Sequence, residues 1–194
     1  EWVQKAEQNG WIVPKARFGL FPAQSDGDEV IFFASEKKDK ELGRFNFDLC
    51  IGKGRKDKFS IGQYFHSIKS GQVDAIGLQI TTSGEGVEEG IKSFKDQNDS
   101  ESALYLQGLS DRVAEDMAEY IHQLIRKRGG YKRENQGQRY SPGYSALTNL
   151  EGNHIIWDAL GAQDLGITLT GSNEFFPPSS TAAVICFHKD AGYS

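Results

Sequence analysis

Residues 100–128 read SESALYLQGLSDRVAEDMAEYIHQLIRKR. Leu109, Val113, Met117, Tyr120, Ile121, Leu124 and Ile125 recur at three- and four-residue steps, which places them on one face of an α-helix. Asp99 or Ser100 can cap its start, Lys127 and Arg128 complement the dipole at its end, and Gly129-Gly130 stop it. At about 1.5 Å per residue the helix would be roughly 40 Å long, a spine for the domain. On another side Asp111, Glu115 and Glu119 follow at four-residue steps, a line of carboxylates that is either a solvated stripe or a docking surface for a cationic partner.

Upstream, residues 75–82 predict a strand that ends at the Ser83-Gly84-Glu85-Gly86 turn. Those glycines match neither a phosphate-binding loop nor a dinucleotide fingerprint and read as turn structure. Residues 17–21 and 30–34 are rich in aromatic and β-branched side chains and flank turn chemistry at 24–28, a β-hairpin pattern. Residues 1–9 predict a short helix stopped by Gly10, and residues 59–70 another. The charged runs at 36–41 and 52–58 read as solvated loops. Downstream of residue 130 the composition turns to Gly, Pro, Asn, Ser and Tyr, with a short helix at 155–160 and a strand at 182–187 between long connections.

The chain has 194 residues, 38% hydrophobic and 25% charged, the range of one globular domain. A formal net charge of -5 argues against a protein whose main task is neutralising nucleic-acid phosphates. Cys50 and Cys186 lie far apart in apolar stretches, which fits a reducing, cytoplasmic setting rather than a disulfide framework. No apolar run is long enough for a membrane span. Because residue 1 is not Met and Tyr193-Ser194 closely follow an apolar run, residues 1–194 are expected to be a single domain cut from a longer chain and truncated at its C-terminus.

Chemistry concentrates in Arg139-Tyr140-Ser141-Pro142-Gly143-Tyr144. It offers a fixed cation, two aromatic faces, a rigid turn and a Gly that lets a ligand approach the backbone. Arg can grip a carboxylate in a bidentate fork, while a Tyr face attracts a cationic sulfur or stacks on a flat ring. His66, His122, His154 and His188 show no metal-ligand spacing and read as surface or packing residues. Ser141, Ser145 and Ser172 have no identifiable His and acid partners for a hydrolase triad.

Arg139-x-x-x-Gly143-Tyr144 with Ser145-Ala146, then Trp157, then Gly166-Ile167-x-Leu169-Thr170 and Ser172, resembles the signature of the activation domain of cobalamin-dependent methionine synthase. Phe18-Gly19-Leu20-Phe21-Pro22-Ala23-Gln24 with Gly27-Asp28 resembles that family's opening hairpin. Leu109-Ser110-Asp111-Arg112 with Ala114-Glu115, Ala118-Glu119-Tyr120 and His122 resembles its central helix. The resemblance runs from about Gly10 to Tyr193. It implies an α+β fold in which a twisted, mostly antiparallel sheet packs against the long central helix, with a ligand groove formed by surface loops.

It further implies binding of S-adenosylmethionine, whose methyl group serves the reductive reactivation of cobalamin carried mainly by a partner domain of this methyltransferase. The ligand residues so implied are Arg139 and Asp28, with Ser141, Gly143 and Tyr144 lining the groove, Tyr193 closing it and Glu134 as an acidic member of the motif. No catalytic residue and no metal ligand is implied, since the methyl group is already activated by its positive sulfur and the task is positioning. Asp111 and Glu115 fall to docking of the cobalamin-binding domain. Arg126-Lys127-Arg128 with Lys132-Arg133 is either a solvated helix end or a contact for an acidic flavodoxin or similar reductase.

The family's Leu-Thr-Glu-Ser reads Leu169-Thr170-Gly171-Ser172 here, one carboxylate fewer, and its Met-x-Pro segment reads Phe175-Phe176-Pro177-Pro178. Two other readings therefore stand beside the first: a docking module for a corrinoid protein with lost S-adenosylmethionine affinity, and a stand-alone activator of another corrinoid methyltransferase.

Overall fold

Asp99 accepts a hydrogen bond from the Ser102 amide at 3.0 Å and so caps a helix that runs from Ser100 to Arg128, where Gly129 ends it. The computed structural model describes residues 1–51, 57–130 and 137–191. Its other helices are α1 (Trp2–Gln8), α2 (Gly86–Asp96) and α4 (Glu151–Ala159), so the long helix is α3 (Ser100–Arg128). The strands are β1 (Lys15–Asp26), β2 (Glu29–Phe33), β3 (Glu41–Asn46), β4 (Cys50–Ile51), β5 (Lys58–Phe59), β6 (Asp74–Thr82), β7 (Gln138–Tyr140), β8 (Thr168–Leu169), β9 (Phe175–Phe176) and β10 (Ser180–Cys186).

Six of them form one sheet in the order β3-β2-β1-β6-β10-β7, with every neighbouring pair antiparallel. This is the α+β architecture expected from the sequence. The hairpin forms too, but β1 is longer than its aromatic stretch suggests. It pairs with β6 from Lys15 to Ala23 and with β2 from Ala23 onward, and Gly27 takes the left-handed conformation at the turn (φ 67°).

The period of two along β6 and β10 divides the interior. Ile76, Leu78, Ile80, Ala182, Val184 and Cys186 face a core completed by Phe32, Phe45, Leu147 and Ile156 of α4. Gly77, Gln79 and Thr81 of β6, with Ile185 of β10, face α3 instead. Ala6 of α1 and Val87, Ile91 and Phe94 of α2 close the N-terminal end of α3 against Ala103 and Leu106.

The buried stripe of α3 keeps Ile121 and Ile125 of the expected one, with Leu109, Met117 and Leu124 partly buried beside it, but is otherwise shifted. Its buried residues are Ala103, Leu106, Ser110, Ala114, Ala118, Ile121, His122 and Ile125, whereas Tyr120 is 57% exposed. The reason is the sheet surface it meets. Gln79 Nε2 donates to the Ala118 carbonyl at 3.1 Å, and Thr81 Oγ1 to the Ala114 carbonyl at 3.2 Å. Alanines bring the helix backbone close enough for these contacts, so side-chain size rather than hydrophobicity selects the face.

Residues 59–70 form two 3-10 turns, Ile61–Tyr64 and Ile68–Ser70, in place of the expected helix. Between them the backbone is drawn to β1: the Ser25 amide donates to the His66 carbonyl at 2.9 Å and Ser25 Oγ to the Phe65 carbonyl at 3.0 Å. The Ser83–Gly86 turn packs against the backbone of Val13 and Gly10, which leaves no room for a side chain at Gly84 or Gly86. Among the described residues no helix is long and apolar enough to cross a membrane.

Candidate functional site

Edge strand β7 sets the site by its register. Tyr140 pairs with Val184 and shares its core, so the preceding Arg139, opposite Ile185, is turned toward α3. There its Nη2 meets Glu115 Oε2 at 3.6 Å. Helix and strand are tied just upstream, where His122 Nε2 lies 3.1 Å from the Gly137 carbonyl. Burial holds the His122 imidazole below its usual pKa; Glu119 opposes that shift, and the Arg139 and Arg126 cations reinforce it. The neutral ring therefore donates through Nε2 to Gly137 and fixes where β7 begins.

Beyond β7 the chain folds into a short loop. The Gly143 amide donates to the Leu147 carbonyl at 2.8 Å and the Leu147 amide to the Tyr144 carbonyl at 2.8 Å. Gly143 sits at φ 89°, and a Cβ there would stand 3.1 Å from Leu150 Cδ2. Pro142 fills the space that Gly152 of α4 leaves open. The result is a rigid platform on which the Tyr144 ring stands 72% exposed. Its far side is held by Asp48, whose amide donates to the Ala146 carbonyl and whose carboxylate accepts from both the amide and the hydroxyl of Thr148. Those Thr148 hydrogen bonds keep the Asp48 carboxyl below its usual pKa.

Two adjoining clefts open over this platform. The first, about 340 Å³, is lined by Glu115, Arg139, Tyr140, Ser141, Tyr144, Ser145, Ala146 and Thr181. The second, about 540 Å³, shares Glu115, Ser141, Tyr144 and Thr181 with it and extends past Asn153 to Glu174 and Phe176. Together they form a groove with a cation at one end and aromatic side chains further along.

Arg139 carries the sharpest signal. Its side chain is only 18% exposed, and Nη1 is buried with no hydrogen-bond acceptor among the described residues. An unpaired buried donor costs roughly 1–3 kcal/mol, more when charged, and the part of the guanidinium that lines the cleft can take up a carboxylate. The donor set thus fits an anionic group held beside a second carboxylate, Glu115.

Of the expected ligand residues, Arg139, Ser141 and Tyr144 meet in this groove, and Gly143 shapes it from behind. Asp28 lies at the tip of the β1–β2 hairpin, exposed, and is among the lining residues of neither cleft. Its link to the groove is through the backbone: the Phe47 amide donates to the Asp28 carbonyl, and the next residue, Asp48, donates to Ala146. Glu134 and Tyr193 lie outside the described residues, as do Lys132 and Arg133.

Asp111 and Glu115, expected as a docking pair, both have partners within the domain. Asp111 Oδ1 accepts from Ser179 Oγ at 2.7 Å and from Gln107 Nε2 at 2.9 Å, and Glu115 faces Arg139. Trp157 and Ile167 of the sequence signature serve packing, the indole donating to the Ile167 carbonyl at 3.1 Å. Glu174 was not singled out in the sequence. Its signal would have been an acidic residue within the short loop that also carries Thr170 and Ser172.

A family model described as vitamin B12 dependent methionine synthase, activation domain, matches residues 1–194. Methionine synthase of Mycobacterium tuberculosis (strain ATCC 25618 / H37Rv) is 24% identical over 219 residues, covering 99% of this chain and 18% of that protein. Methionine synthase of Mycobacterium leprae (strain TN) is 24% identical over 216 residues, with the same coverage of 99% and 18%. The chain thus spans 18% of the length of these curated relatives. Among solved structures, the crystal structure of the MetH reactivation domain bound to AdoHcy matches with a TM-score of 0.90 at 26% identity, over 100% of this chain and 64% of that one.

Proposed function

Because the chain belongs to the activation-domain family of vitamin B12-dependent methionine synthase, we propose that its groove binds S-adenosylmethionine and presents the methyl group for reductive reactivation of cobalamin held by a partner domain. The observation that carries this reading is the mostly covered Arg139 guanidinium lining the end of a groove rimmed by Tyr144, with Glu115 as a loose partner at 3.6 Å. In it Arg139 takes the ligand carboxylate, Glu115 accepts from the ligand ammonium, and the Tyr144 face covers the sulfonium or the adenine. The related reactivation domain bound to AdoHcy supports a ligand of this chemical class.

S-adenosylmethionine supplies a methyl group made transferable by its sulfonium, so the chain's own residues need move no proton. Their work is to hold the ligand against rotation, with the carboxylate and ammonium fixed at one end and the nucleoside along the second cleft. Partner docking falls to the side of α3 that carries Asp111 and Glu115, beside the open mouth of the groove. A flavodoxin-like reductase has its candidate contact at the basic end of α3, where Arg128 lies 4.9 Å from the Phe18 ring.

Calorimetric titration of the 194-residue chain with S-adenosylmethionine tests the reading. Saturable binding is the expected result. Absence of heat at millimolar ligand would favour a docking module without ligand affinity.

A further inference from the structure

The wider cleft contains a carboxylate that the proposed function does not use. Glu174 lies in the loop between β8 and β9, which closes on itself: the Thr170 amide donates to the Glu174 carbonyl at 2.9 Å, and the Asn173 amide to the Thr170 carbonyl at 3.0 Å. Asn173 takes a left-handed backbone (φ 62°), and its carbonyl accepts from Asn153 Nδ2, a buried side chain of α4, at 2.9 Å. The loop is thereby fastened to the core side of the groove.

Within it the side chains form a relay. The Glu174 amide donates to Thr170 Oγ1 at 3.1 Å, Thr170 Oγ1 and Ser172 Oγ lie 3.0 Å apart, and Ser172 Oγ donates to Glu174 Oε2 at 3.0 Å. A glutamate normally samples many rotamers, and ordering it consumes side-chain entropy on binding. Here one oxygen of the exposed carboxylate accepts from Ser172, which biases it toward one orientation before any ligand arrives. It stands in a cleft with the exposed Phe176 and Tyr144 rings, and that cleft shares its wall with the one that holds Arg139.

Resting on the reading that the groove binds an S-adenosyl amino acid, we propose that Glu174 recognises the ribose of the nucleoside, accepting hydrogen bonds from its vicinal hydroxyls. A preoriented carboxylate is the acceptor that suits a diol, as in dinucleotide sites where an acidic side chain holds a ribose hydroxyl. Arg139 and Glu174 then divide the ligand between them, the amino-acid head in the first cleft and the ribose in the second. Phe176 and Tyr144 supply the apolar walls on which the base can stack.

The test compares S-adenosylhomocysteine, which is neutral overall at pH 7, with its 2′,3′-dideoxy analogue by calorimetry on the wild-type chain, Glu174→Gln and Arg139→Ala. Using a neutral zwitterion keeps the lost charge from acting at long range. The expected result is that Glu174→Gln weakens S-adenosylhomocysteine about tenfold and leaves the dideoxy analogue unchanged, while Arg139→Ala weakens both. Equal weakening of both ligands by Glu174→Gln, or none, overturns the ribose assignment while leaving the Arg139 site standing. If Arg139→Ala leaves both affinities untouched, the underlying site reading fails instead. Thermal melting of Glu174→Gln, expected to match wild type, separates ligand recognition from loop collapse.

Discussion

Arg139 and Glu115 face each other at 3.6 Å across the mouth of the groove, one from an edge strand and one from the middle of α3. The guanidinium is mostly covered while the carboxylate is 59% exposed, so the pair is too loose and too wet to be a structural clamp. In the proposed reading Glu115 turns to the ligand ammonium while Arg139 takes the carboxylate. Glu115→Gln should therefore weaken S-adenosylhomocysteine by roughly 1.5–3 kcal/mol, the range for hydrogen bonds to charged groups, with little change in melting temperature. Calorimetry beside a thermal melt checks both halves, and a large stability loss would show the pair to be structural.

Gly143→Ala addresses the platform. At φ 89° an L side chain is strained, and Leu150 leaves its Cβ little room. The substitution should cost about 1–3 kcal/mol in urea unfolding and weaken ligand binding as Tyr144 shifts. Unchanged stability would mean that the loop conformation is not held as described.

His122 predicts a pH dependence. Its folded-state pKa is depressed below 6.5, by burial first, with Glu119 opposing and the Arg139 and Arg126 charges contributing. The unfolded chain thus binds the proton more readily, so stability rises with pH through this range. The contribution is fully present above about pH 6.5 and is lost as pH falls through the folded pKa. Melting temperature against pH should fall on the acid side for wild type and more shallowly for His122→Gln; parallel curves would remove His122 as the source.

The close approach of α3 to the sheet predicts that Ala118→Leu is poorly tolerated. A larger side chain pushes the helix from β6 and breaks the Gln79 and Thr81 bonds to its carbonyls, at a cost of about 1–3 kcal/mol in denaturant unfolding. Tyr120→Ser, on a face read as apolar in the sequence but exposed in the fold, should change stability little.

These two residues also show what the sequence could and could not reveal. Length, caps and periodicity make α3 legible, but its buried face only in part, at Ile121 and Ile125, because the surface it meets is polar and small at Gly77, Gln79 and Thr81. Helix α2 is hidden by Gly86 and Gly90, which are poor helix formers. Yet Gly90 is required, since a Cβ there would meet Leu106 and Trp11. The sheet was legible from its hairpin and from the apolar runs of β6 and β10.

For the site, Arg139, Ser141 and Tyr144 stand in one motif and stay together in space, so sequence proximity carried them. Glu115 and Glu174 arrive from distant segments, brought in by the turn of β7 toward α3 and by the closed loop after β8. Four-residue spacing on a helix reports a shared face and says nothing of what lies opposite. That is why the contact between Glu115 and Arg139 is not legible in the helix pattern.

The most direct measurement is a binding cycle that removes the carboxylate from the ligand and the guanidinium from the protein. S-adenosylhomocysteine and its decarboxylated analogue are titrated into wild type and Arg139→Ala. If the Arg139 guanidinium receives the carboxylate, the two losses are coupled by about 1.5 kcal/mol or more, and the analogue binds both proteins almost equally. Strictly additive losses would contradict the account, because the arginine and the carboxylate would then act without meeting.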